Sequence, residues 1–382
     1  MPLQPNSSNP KNNLLNHNRL QELDALRGLA AVFVVLFHYS LSGRPHYDIF
    51  RFGITGVDLF FIISGFVIMM SIERIQYGYE FIISRFCRLF PTYWVCVTVT
   101  LIIIMLAKPY YNEPVIVPWH QYLANMTMFQ YYLGYENLDG PYWTMIVEMS
   151  FYLLILLLFY VKALRSIVFI LVSLVVLMTI LTEKYSTDPF TQHFLYNFPL
   201  MESFPLFVAG ILFYKVFKQD KKYIPYIFLI IGCYLAQVLL YRHCGRAAGH
   251  VSHAEYKLIL GIYFLFFFLL LFRKLKFIVN RYTLFLGKIS FALYLIHQYL
   301  SINLIIPYLM DQGISYYIAA FAVALPVSIL FATAITFWVE IPVGRWLKPR
   351  LYEVARFIAR TRLAVAQKLR IKSGEMADEK TL

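Results

Sequence analysis

An arginine and a histidine eleven residues apart, Arg27 and His38, stand inside LDALRGLAAVFVVLFHYS, an otherwise apolar stretch long enough to cross a bilayer. At about 100° per residue, eleven steps of a helix make three turns plus about 20°, so both side chains fall on one face. The rise of 1.5 Å per residue separates them by roughly 16 Å. Placing Asp24, Arg27 and His38 in hydrocarbon costs several kcal/mol unless they are paired or used. An imidazole, with an ordinary pKa of about 6.5, can accept a proton at neutral pH; a guanidinium holds phosphate or carboxylate. A structural account also exists, in which Arg27 snorkels and His38 bonds a neighbouring helix.

Further polar residues interrupt apolar stretches downstream. Asp58 and Ser64 lie in GVDLFFIISGF, and Trp143 and Glu148 lie in GPYWTMIVEMSF. Arg85 and Arg88, three apart in SRFCRLFPTYW, project to one side of a helix start, a suitable place for phosphate or for ordinary anchoring at lipid headgroups. Counting residues from the expected helix ends puts Glu148 at the depth of His38. This predicts that Glu148 or Asp58 faces the imidazole and steadies its protonated form. Arg27, Arg85 and Arg88 are expected to converge near the opposite surface. His297 falls near the middle of a later stretch, where contact with substrate and plain packing are both open; Asp24, Ser64 and Trp143 join it as candidate substrate-binding residues.

The elements that must hold these residues are membrane helices. Of 382 residues, 60% are hydrophobic and 14% charged, and the mean hydropathy is +0.61, which excludes an ordinary soluble domain. Apolar windows of spanning length fall near 23–41, 56–72, 88–107, 141–161, 166–182, 203–217, 224–241, 257–272, 287–309 and 315–339. The expected fold is all-α, with about ten transmembrane helices; the windows at 56–72 and 203–217 are short enough to be tilted or partly re-entrant. With the N-terminus on the cytoplasmic side, 26 of the 34 Lys and Arg lie in cytoplasmic segments and seven in the others, with Arg27 inside the first helix. The net charge of +13 is thus accounted for without nucleic acid. Residues 1–22 read as a disordered cytoplasmic tail, 23–342 as the transmembrane domain, and 343–382 as a basic amphipathic tail suited to membrane lipid. Four cysteines without a CxxC pair imply no disulfide framework. His243, Cys244, His250 and His253 are metal-ligand types at irregular spacing, and no metal site is assigned to them.

Several of these stretches match a known pattern together. The RX10H spacing of Arg27 and His38, GVDLFFIISGFVI, SRFCRLFPTYW, GPYWTMIVEMSFYLL, GKISFALYLIHQ and VEIP at Val339–Pro342 resemble, in order, the motifs of the acyltransferase-three family of integral-membrane acyltransferases. That group O-acetylates bacterial surface polysaccharides. The resemblance covers about 23–342. It implies acetyl-CoA or another acyl-CoA as co-substrate with no bound cofactor, and a polysaccharide or lipid-linked sugar as acceptor. It also implies His38 as the essential histidine, Arg27 as its signature partner, Arg85 and Arg88 as donor-associated arginines, and Glu148 as the acidic residue of the fourth-helix motif. Thr144, Met149 and Ser150 depart from the usual residues beside Glu148, on the acceptor side.

The function these readings favour is acyl transfer in a bacterial inner membrane, with both termini cytoplasmic and His38 as general base; an acyl-histidine intermediate is also open. The alternative from another class is a transporter or flippase of lipid-linked sugars, with the same intramembrane charges lining a path. No inverted repeat accompanies it.

Overall fold

The protein, described by a computed structural model, is seen over residues 20–41, 48–107, 116–218 and 223–378, without side-chain detail for Asp48, Ala107 and Arg246 or beyond 361. Most of the expected N-terminal tail therefore lies outside the described residues, as do the side chains of the last part of the basic tail. The described chain is helical, and ten helices are long and apolar enough to span a membrane, one at each expected window. It is a multi-pass membrane protein.

In chain order the elements are α1 Gln21–Leu41, α2 Gly56–Ile72, α3 Gly78–Ala107, the short α4 Trp119–Met126, α5 Trp143–Tyr160, α6 Ile167–Tyr185, the short α7 Pro189–Asn197, α8 Leu200–Phe217, α9 Tyr223–Cys244, α10 His253–Leu271 and α11 Arg281–Gln298. There follow α12 Ile306–Asp311, α13 Leu325–Ile335 and α14 Ile341–Asp378. We call the side on which α1 begins the near side, and the opposite one the far side. The two windows expected to be short have different explanations. A 3-10 segment, Asp48–Thr55, leads directly into α2 and lengthens that span to Ile49–Ile72. Helix α8 is 18 residues long and is buried around most of its circumference, so protein rather than lipid sets its length. Helix α3 starts at Gly78, ten residues before its apolar window, because GYEFIISRFC continues the helix while carrying the charges that a hydropathy window leaves out.

Two close crossings set the frame. Helix α1 packs along α11, and α2 along α8. A Cβ on Gly287 would lie 2.0 Å from the Asp24 carbonyl oxygen, and one on Gly65 would lie 2.0 Å from that of Phe207. Only glycine permits such an approach, and apolar helices in lipid associate mainly through close packing of this kind. Phe207 also stacks between Phe61 and Phe151, at 4.8 and 4.3 Å, joining α8 to α2 and α5. The far end of α1 is fixed by polar contacts: the Tyr39 hydroxyl bonds Ser301 and, at 3.0 Å, Ser328, where α11 runs on into a π-helical segment, Tyr299–Ile305. The last span passes without a break into α14, which lies along α3 on the near side; there the Tyr352 hydroxyl donates to the Glu80 carbonyl at 3.3 Å.

Candidate active site

Where α1, α2, α5 and α11 meet, the bundle encloses two adjoining chambers that share Val57 and Tyr294 as walls. The near chamber is lined by Arg27, Arg85, Arg88, Ser64, Glu148 and Tyr152. The far chamber, about 210 Å³, is lined by His38, Asp58, Trp143, Glu202, Gln237 and Gln298, among others. Arg27 and His38 thus sit one above the other along the same helix face, in different compartments.

The near chamber carries charge that is largely tied down. Arg27 Nη1 donates to Asp24 at 3.2 Å, three residues earlier on α1. Arg85 donates to Ser71 at 3.3 Å, yet its Nε is buried with no hydrogen-bond partner. The Glu148 carboxylate accepts from Ser64 at 3.2 Å and from the Tyr152 hydroxyl one turn along α5. Three guanidinium groups and one carboxylate leave a net positive chamber.

The far chamber contains the imidazole. His38 Nδ1 lies 2.9 Å from the Val34 carbonyl and 3.2 Å from His297 Nε2. His297 Nδ1 lies 2.9 and 3.1 Å from the Tyr294 and Leu293 carbonyls. Carbonyls only accept, so each Nδ1 carries a hydrogen. His297 Nε2 then holds a lone pair and accepts from His38, which leaves His38 Nε2 as its basic nitrogen. Imidazole tautomers are commonly fixed in this way, by the partner of the other ring nitrogen. Asp58 and Tyr256 line the same chamber, as does Gln237, whose carboxamide donates to the Glu202 carbonyl at 3.1 Å.

Comparison with known proteins assigns the chain to a family. A family model described as an acyltransferase domain matches residues 20–333. The chain belongs to the acyltransferase-three family. A relative named "Putative acetyltransferase ORF330", from Acidianus two-tailed virus, is 25% identical over 314 residues, covering 75% of this chain and 86% of its own length. No solved structure matches.

In this acyltransferase the expected residues divide between the chambers. Arg27, Arg85 and Arg88 come together as anticipated, with Asp24 bound to Arg27. Asp58 and Trp143 line the chamber of His38, and His297 touches its ring. Ser64 and Glu148 do not join them: the ring's imidazole neighbour replaces the carboxylate expected there, and Glu148 lies among the arginines. The cause is where α5 begins. Gly140 and Pro141 form a 3-10 turn that already lines the far chamber, so α5 starts at the level of His38 rather than at the surface. Glu148, five residues beyond Trp143, is then about 7 Å closer to the near side. Tyr152, Tyr294, Glu202, Gln237 and Gln298 line the chambers as well, without having been expected from sequence. Glu202 and Gln237 had a signal, as polar residues within apolar spans; Tyr152 and Tyr294 were hidden among 30 tyrosines.

Proposed function

We propose that this acyltransferase moves an acyl group, acetyl in the simplest case, from acyl-CoA to a hydroxyl of a cell-surface or lipid-linked polysaccharide, with His38 as general base. The observation that carries the reading is the His38 imidazole: its Nδ1 is engaged by Val34 and His297, and its ring stands in a chamber adjoining the arginines. The CoA phosphates bind Arg85, Arg88 and Arg27, and the thioester reaches past Val57 and Tyr294. The acceptor hydroxyl gives its proton to His38 Nε2 as its oxygen attacks the thioester carbonyl. The tetrahedral intermediate collapses to the ester and expels the CoA thiolate, which takes the proton back from the imidazolium. His297 positions the ring. Asp58 faces the acceptor, and Glu148 orders the arginine chamber. The excess of Lys and Arg on the near side supports a cytoplasmic near side, where acyl-CoA is found, in a protein of a bacterial inner membrane.

Membranes from the producing cells, incubated with acetyl-labelled acetyl-CoA, test this. Transfer of label to glycan that is lost in His38→Ala supports it. Wild-type activity in His38→Ala, or label found only as free acetate, refutes it. A transporter of lipid-linked sugars would neither bind acetyl-CoA nor transfer the label.

A further inference from the structure

Two carboxamide oxygens in the far chamber have no hydrogen-bond partner in the protein although they are buried: Gln237 Oε1 and Gln298 Oε1. The orientation of Gln237 is determined by its surroundings. Its Nε2 lies 3.1 Å from the Glu202 carbonyl, which only accepts, so the nitrogen faces that carbonyl and the other end of the amide is the oxygen. Gln237 as a whole is 3% exposed. Gln298 directly follows His297, and its carboxamide rests on bare backbone: a Cβ on Gly140 would come within 2.4 Å of Oε1. A buried acceptor left without a donor is costly unless something supplies one.

We infer that Gln237 and Gln298 are specificity-determining residues of the acceptor site, each receiving a hydrogen bond from a hydroxyl of a polyhydroxylated acceptor other than the hydroxyl that reacts. The inference rests on the proposed acyl transfer. Both oxygens only accept, so the matching ligand must bring hydrogen-bond donors on two sides besides the hydroxyl that reacts. A sugar ring does so, while a simple monohydric alcohol has no hydroxyl left to offer once its own reacts. Gln298 stands one residue from the histidine that touches His38, on the wall nearest the base. Gln237 stands across the chamber on α9. Gly140 keeps the room that the Gln298 carboxamide occupies.

The test uses Gln298→Met and Gln237→Met, which keep side-chain length and remove the carbonyl, together with Gly140→Ala. Label transfer from acetyl-CoA to glycan is measured in native membranes, and acetyl-CoA affinity is measured by calorimetry on protein purified in nanodiscs. Each variant is expected to lower transfer about tenfold or more, through a raised KM for the glycan, while acetyl-CoA affinity stays within about twofold. Gln298→Asn, which retains the carboxamide but withdraws it by one methylene, is expected to fall between wild type and Gln298→Met, and it stands in if the Met variant fails to fold. Wild-type transfer by the Met variants overturns the inference, as does a parallel loss of acetyl-CoA binding. Absence of transfer in the wild-type protein instead refutes acyl transfer itself, and this inference with it.

Discussion

The near and far chambers share two wall residues and differ in how they keep polar groups inside a membrane protein. The near chamber holds charge against charge, with Arg27 on Asp24 and Glu148 amid three arginines. The far chamber holds the proposed base, His38, by hydrogen bonds to Val34 and to a second imidazole rather than to a carboxylate. A guanidinium does its work while permanently ionised and therefore needs counter-charges. An imidazole base must begin without its proton, and a carboxylate at Nδ1 would favour the charged ring. On the proposed function, the separation keeps the arginine chamber from dictating the protonation of His38 a short distance away.

This contrast breaks first at His38. Replacing it with Ala is expected to reduce acyl transfer about a thousandfold, the scale of a lost general base, while acetyl-CoA affinity measured by calorimetry is unchanged. A comparable loss of donor affinity would show that the chambers act as one. The reciprocal change, Arg85→Ala with Arg88→Ala, should weaken acetyl-CoA binding about 10- to 100-fold, given about 1.5–3 kcal/mol for hydrogen bonds to charged groups. Transfer at saturating donor should then survive better than in His38→Ala.

The frame around both chambers offers a third, smaller effect. Gly287→Ala would press on the Asp24 carbonyl, and overpacking of that kind costs about 1–3 kcal/mol. Thermal unfolding in nanodiscs should show a lower midpoint, with acetyl-CoA affinity falling too, since Asp24 carries Arg27.

The smallest effect belongs outside the chambers. Glu73, past the near end of α2, is bound by Lys215 at 2.5 Å and Lys218 at 2.7 Å. Burial raises its pKa, but the two ammonium groups outweigh burial and hold it below the ordinary carboxylate value. Its contribution is therefore present above the unfolded-state pKa near 4.5 and fades as pH falls through the lower folded value. Glu73→Gln should cost about 0.5–1 kcal/mol at pH 7 and flatten the acid side of the stability profile, with transfer unaltered.

How much of this could be read in advance differs by residue. The Arg27–His38 spacing depends only on helix geometry, and the two chambers stack along α1 as that spacing requires. The convergence of Arg85 and Arg88 with Arg27 followed from two helix starts, those of α1 and α3, sharing one surface. Glu148 was misplaced by about a turn because its depth was counted from a surface that α5 does not reach. The His38–His297 contact was unreadable, since 259 positions separate the rings.

Sequence alone determined the ten spans, the all-helical fold, the family and the residues sharing the α1 face, because hydropathy and helical periodicity are local properties. Only the tertiary structure decided that His38 rests on a second imidazole, that Glu148 belongs with the arginines, and that Gln237 and Gln298 line the same chamber. Those facts depend on where helices begin and how deeply they cross, and the crossings are set by glycines such as Gly65 and Gly287 meeting backbone from far along the chain.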